Sequence, residues 1–120
     1  MLVALPEELP VNETLDLYQR LGAMRTQVGL CVLNEMHPEP FSELQAWPAL
    51  RTALESSDPA TDEALRLTDR RVARAQAQRS ARERLNQNLP VPYAELPFLY
   101  HRRLTPSELL ALGRSLVGDA

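Results

Sequence analysis

The run "VGLCVLNEM", Val28 to Met36, carries only a thiol among apolar residues until Asn34 arrives, with Glu35 directly behind it. An asparagine amide offers both a donor and an acceptor, and so can orient a partner rather than merely touch it. Ligands of open α/β sheets bind beyond the carboxyl ends of the strands. Asn34 therefore has two readings. It ends a strand as a turn residue, or it delivers one directional hydrogen-bonding group to a site.

Other residues invite chemistry less strongly. Glu7, Glu8 and Glu13 are spaced like paired acids, but acids also gather at the positive end of a helix dipole, which is the reading expected here. Cys31, Glu35 and His37 supply three metal-ligand types without a recognisable zinc spacing, and Cys31 should face the core, so no metal is assigned. Arg66, Arg70 and Arg74 fall four apart on one helical face, with Arg71, Arg79, Arg82 and Arg84 close by. Such a helix could meet nucleic-acid phosphates. Asp62, Glu63, Asp69 and Glu83 interrupt it, however, and the chain is net −3. A solvated or protein-facing helix is expected, with no nucleic acid. His101, Arg102 and Arg103 form a further basic cluster, suited to phosphate, to an acidic partner or simply to solvent.

The elements that must hold these residues can be read from periodicity. "LVAL", Leu2 to Leu5, reads as a short buried strand. Val11, Leu15, Tyr18, Leu21 and Met24 share one face of a helix expected to end near Arg25. Val28 to Leu33 is apolar throughout rather than alternating, as a parallel strand covered on both faces requires. Phe41, Leu44, Trp47, Leu50 and Leu54 recur at helical spacing, with Pro48 able to split or kink that helix. A long helix follows from about Ala60 to Asn86. Only Leu65, Leu67, Val72 and Leu85 can bury much of it, so it is expected to project or lie on the surface. A strand around Tyr93 to Leu96 and a helix capped by Thr105, Pro106 and Glu108 complete the chain, with Leu109, Leu112 and Leu116 as its buried stripe.

A chain of 120 residues is one domain by length. Its hydrophobic content of 44% and charged content of 24% are those of a globular protein. Residues 1–69 hold 12 acids and 4 arginines, and residues 70–120 hold 9 arginines and 4 acids. There is no lysine. That excludes Schiff-base chemistry and any Walker A lysine within this chain. No apolar run approaches the roughly 20 residues of a membrane span. The opening "MLVALPEELP" has no signal-like basic region, and a lone cysteine suits a reducing compartment, so a cytoplasmic location is expected.

These elements predict an α/β fold, the C-terminal half of a doubly wound, mostly parallel three-layer sheet of about three strands with a helical insert. The division is a βαβ unit over 1–41, a helical insert over 42–90, and a last strand and terminal helix over 91–120. Half a sheet leaves apolar strands at an open edge, which something should cover.

Three segments carry a family likeness. "ALPEELPVNETLDLYQRL" resembles the strand, loop and helix of bacterial ArsA-type ATPases, the arsenite- or anion-transporting P-loop enzymes related to the tail-anchored-protein targeting ATPase. "VGLCVLNEMHPEPF" resembles that family's next strand, and "ELPFLYHRRLTPSELLALGRSL" its last strand, loop and terminal helix. The three blocks occur in the family's order.

The resemblance implies that Asn34 hydrogen-bonds the adenine ring of ATP, and that Leu96, Pro97 and Phe98 wall the base. It also implies a cofactor pocket with only its adenine side in this chain. Magnesium would enter only with a complementary N-terminal ATPase half, which carries the Walker A loop, and no hydrolysis is expected from this chain alone. Implied partners are that half or a second copy, with a protein client and an indirect membrane link as further implications. A non-catalytic interaction module, working through the sheet edge or the arginine-rich helix, is the alternative.

Overall fold

The computed structural model describes residues 1–100 and 103–117. Three strands, β1 (Leu2–Ala4), β2 (Cys31–Met36) and β3 (Tyr93–Pro97), form one all-parallel sheet in the order β1-β2-β3. Helix α1 (Glu8–Arg20) connects β1 to β2. Helices α2 (Trp47–Leu54) and α3 (Pro59–Asn88) lie between β2 and β3, and α4 (Pro106–Val117) follows. The α/β class is thus as the sequence predicts, with open edges at β1 and β3.

Helix α1 starts and stops earlier than its apolar spacing suggests. Pro10 lies in its first turn, where a backbone N–H has no helical partner to lose. The helix ends because Gly22 adopts φ 54°, the left-handed conformation that glycine takes without Cβ strain. A 3₁₀ segment, Gly22–Gln27, follows and occupies residues expected to be helical. Val11, Thr14 and Tyr18 form the buried face.

Strand β2 is displaced by three residues from the apolar run that announced it. Its neighbours meet it only from Cys31 onward, through the pairs Leu2 with Cys31 and Cys31 with Tyr93. Cys31, Leu33 and Met36 then face a core completed by Ala4, Val11, Tyr18, Ala81, Leu85 and Leu89. Burial pushes the Cys31 thiol pKa up, which fits a small packed hydrophobe rather than a nucleophile. Alternation puts Val3 and Val32 on the opposite face. Val32 is buried there, whereas Val3 is 54% exposed, so that face is covered only in part.

The long helix corrects the expectation of a projecting surface element. At about 45 Å it spans both cores. Leu65, Val72 and Ala75 pack with Leu44 and Trp47 of the insert, while Ala81 and Leu85 pack on the sheet and α1. The contact face was hard to see because alanine supplies much of it: a small side chain lets the helix backbone come close. Leu67, counted as a burying residue, is 50% exposed.

Pro48 does split the preceding helix. A 3₁₀ turn, Leu44–Ala46, leads into α2, with Pro48 in the first turn of the latter. Leu50 and Leu54 are exposed. The α4 cap is as read, with Thr105 N–H donating to Glu108 Oε2 at 2.6 Å and Glu108 N–H to Thr105 Oγ1 at 3.3 Å. Its apolar stripe is shallower than expected. Leu112 and Leu116 are half-buried and Leu109 is exposed.

Candidate functional site

The carboxyl ends of β2 and β3 are shaped by a bulge. Leu33 pairs with Glu95 and Met36 with Pro97, so two residues, Asn34 and Glu35, lie opposite the single residue Leu96. Glu35 absorbs the extra length at φ 59°, a conformation that costs an L-residue roughly 1–2 kcal/mol. Bulges of this kind bend a strand and re-aim its side chains. β2 therefore does not stop at Asn34; it kinks there and resumes.

Asn34 is half-buried, on the sheet face that also carries Val32. No hydrogen bond joins its side chain to any described residue. Leu96 is half-buried across the bulge, and Pro97 ends β3 in an exposed position. Phe98 N–H donates to Met36 O at 2.8 Å, which extends the β2–β3 pairing past the bulge. The structure thus brings Asn34 opposite Leu96 with Pro97 next along the strand. Phe98 leads away from them toward His37.

A shallow groove of about 540 Å³ opens beyond these strand ends. Pro97 and Phe98 line it, together with His37, Arg82, Glu95 and Tyr100; Asn34 and Leu96 do not. The His37 and Phe98 rings stack with centroids 4.5 Å apart and planes 18° from parallel. Tyr100 sits edge-on to both rings. Arg82 on α3 pairs with Glu95 at the groove wall, and that bond holds the Arg82 guanidinium pKa up.

His37 is held from two sides. Gln78, 2% exposed on α3, accepts from the His37 N–H at 2.7 Å and donates to the His37 carbonyl at 2.9 Å. On the ring side, Nδ1 lies 2.9 Å from the Tyr100 hydroxyl and 3.3 Å from Arg74 Nη1. A guanidinium can only donate, so Nδ1 is the acceptor and the neutral ring carries its proton on Nε2. Partial burial, then the Arg74 charge, lowers the His37 pKa below its ordinary value, against a smaller opposing pull from Glu35.

The arginines of α3 divide into two sets. Arg66 pairs with Asp62, Arg79 with Glu39 and Arg82 with Glu95, while Arg84 donates to Asn12. Arg70, Arg71 and Arg74 have no acidic partner among the described residues. Glu7, Glu8 and Glu13 are all exposed. Only Glu8 of the three lines the groove of about 470 Å³ between α1 and α3. His101 and Arg102 lie outside the described residues; Arg103 is exposed.

Sequence reasoning pointed to Asn34, Leu96, Pro97 and Phe98 and missed the anchoring of His37. Gln78 and Tyr100 are remote in sequence from His37; the packing of α3 across the end of β2 brings in the first, and the pairing of β3 with β2 the second. The one signal for Gln78 is positional. It falls three residues from both Ala75 and Ala81, on the buried stripe, where a polar residue needs a partner.

No family model matches the sequence, and neither does any curated protein. No helix among the described residues is long and apolar enough to cross a membrane.

Proposed function

We propose that this chain is the C-terminal portion of an ArsA-type ATPase, half of a doubly wound sheet, contributing the adenine side of a nucleotide site. The observation that carries this reading is the Asn34 amide. It is half-buried at the carboxyl end of the central strand, free of any described partner, and opposite Leu96 across a bulge. Its polar atoms are open to solvent rather than buried without partners, so they are available to a ligand, and an adenine edge would supply a complementary donor and acceptor. Leu96, across the bulge from Asn34, would give the base an apolar wall, and Pro97 and Phe98, which line the neighbouring groove, would hold the turn that follows it.

The residues present fit only one end of ATP. Phosphoryl transfer needs clustered cations and a metal around the phosphates. This chain has no lysine and no glycine-rich loop, so hydrolysis belongs to a complementary half. The partly bare sheet face around Val3 is where such a half, or a second copy, would gain apolar contact.

The test is nuclear magnetic resonance of the Asn34 side-chain amide during titration with adenosine and, separately, guanosine. The expected result is a saturable shift with adenosine alone, lost in Asn34→Ala. Calorimetry with ATP and an ArsA-type N-terminal half should then show tighter binding than with the chain alone. No adenosine-selective shift in the chain, together with unchanged ATP affinity of the complemented Asn34→Ala protein, overturns the reading.

A further inference from the structure

Arg71 and Arg74 converge with His37, Gln78 and Tyr100 on a crevice of about 30 Å³, distinct from the larger groove at the strand ends. A space of that size admits one or two oxygens of an oxyanion whose remainder lies at its mouth, and not a planar ring. Its polar wall is built almost wholly of donors. Arg71, Arg74 and Tyr100 line it. Two acids close in sequence to its lining residues are engaged elsewhere, while Glu35, which takes part in no ion pair among the described residues, acts on His37 from β2. Glu39 is held by Arg79 and Asp69 by Trp47 and Arg51. In a chain of net charge −3, Arg70, Arg71 and Arg74 stand as an uncompensated basic patch on a single stretch of α3.

The crevice is also anchored. The Gln78 clamp fixes the His37 backbone at 2.7 and 2.9 Å, and Phe98 stacks on its ring. The Tyr100 and Arg74 donors therefore meet a ring that cannot swing away. Both are directed at the single Nδ1 lone pair, at 2.9 and 3.3 Å, so one of them is always under-used. An oxyanion in the crevice would satisfy the surplus donor and neutralise the guanidinium charge.

We propose that this crevice binds a phosphate group, held by Arg71 and Arg74 with the Tyr100 hydroxyl as a third donor. Paired guanidinium forks match the geometry and charge of a phosphate dianion better than those of a single carboxylate. The site takes no donor from the adenine reading and shares with it only Phe98, whose ring stacks on His37.

The proposal has a proton signature. His37 faces Arg74 and Arg71 from α3, Glu35 from β2 and the Tyr100 hydroxyl from the segment after β3. An anion beside Arg74 removes part of the repulsion that opposes His37 protonation, so bound phosphate should raise the His37 titration midpoint. By reciprocity, His37 protonation favours bound phosphate, an effect set against the protonation of the phosphate dianion itself, which falls in the same pH range.

The experiment follows the two histidines by NMR while inorganic phosphate, phosphoserine or acetate is added to the full chain at constant ionic strength. Phosphate should produce a saturable His37 shift and an upward move of its midpoint. Phosphoserine binding more tightly than inorganic phosphate would identify a phosphomonoester, rather than the free ion, as the natural source. Replacing both Arg71 and Arg74 by Gln should weaken binding at least about tenfold. Arg66→Gln, which alters an arginine already paired with Asp62, should leave it unchanged. Both positions of the double variant are exposed, so its fold is expected to survive, as circular dichroism would verify. Equal responses to acetate and phosphate, an unmoved His37 midpoint, or full binding in the double variant overturns the proposal.

Discussion

The buried side chain of Gln78 closes both hydrogen bonds of the His37 backbone, accepting at 2.7 Å and donating at 2.9 Å. It does for the chain leaving β2 what another strand would otherwise do. This one residue ties the middle of α3 to the carboxyl end of the sheet, at the residue whose ring meets Phe98 and Tyr100.

Gln78→Leu keeps much of the volume but leaves a part-buried N–H and C=O without their partner. Each such loss costs about 1–3 kcal/mol, so urea unfolding should show a loss of about 2–5 kcal/mol. Gln78→Glu retains an acceptor for the His37 N–H but cannot donate to its carbonyl while ionised. It should therefore destabilise more at neutral pH than in mild acid, where a protonated carboxyl can again donate. An unfolding midpoint in Gln78→Leu equal to that of the parent would mean that the clamp contributes nothing.

The bulge at Asn34 and Glu35 yields a prediction of opposite sign. Glu35 is exposed, takes part in no ion pair among the described residues, and holds φ 59°. Glycine adopts that conformation freely, although it also loses more entropy on folding. Glu35→Gly should consequently stabilise the protein by up to about 1 kcal/mol, whereas the β-branched Glu35→Val should destabilise it. If the bulge serves only to aim Asn34, the glycine variant should keep the adenosine response while gaining stability. Thermal unfolding of the two variants checks the order, and Val more stable than Gly would contradict the strain argument.

These relationships mark what the sequence disclosed and what it hid. The apolar runs and helical periodicities located three strands and four helices, because burial on a sheet or helix face leaves a period in the chain. The Thr105–Glu108 cap was equally legible, since both partners lie within one turn. The Asn34 bulge left no period. Nothing in "LNEM" distinguishes a strand that ends from one that kinks and resumes, for the kink is set by pairing with Glu95 and Pro97 some sixty residues away. The docking of α3 was hidden for a different reason. Its contact face is made of Ala75, Ala81 and Gln78 as much as of leucine, and hydrophobic bulk is a poor guide where close backbone approach does the packing. The arginines looked like one basic stripe. Acidic and amide partners engage Arg66, Arg79, Arg82 and Arg84, whereas Arg70, Arg71 and Arg74 have no acidic partner among the described residues.

The insert should loosen in acid before the rest of the fold. Asp69 accepts from Trp47 Nε1 at 2.8 Å and from Arg51 Nε at 2.9 Å, which ties α2 to α3. The Trp47 hydrogen bond, followed by the Arg51 bond and charge, outweighs desolvation and holds the Asp69 pKa below its ordinary 3.8. A carboxyl whose folded pKa is depressed contributes its stability in full above the unfolded value, and loses it as pH falls through the folded one. The loss therefore belongs below about pH 4. Trp47 is the sole tryptophan, so its fluorescence reports the surroundings of this contact. Acid titration should give an emission change below pH 4 that precedes the loss of far-ultraviolet helical signal. Asp69→Asn should flatten that limb, because an amide can still accept from the indole but cannot titrate. It should also leave the insert less stable at neutral pH, through loss of the charge-assisted Arg51 bond. An unchanged fluorescence limb in Asp69→Asn would assign the acid transition to another carboxylate, with Glu39, held below its ordinary pKa chiefly by Arg79, the next to test.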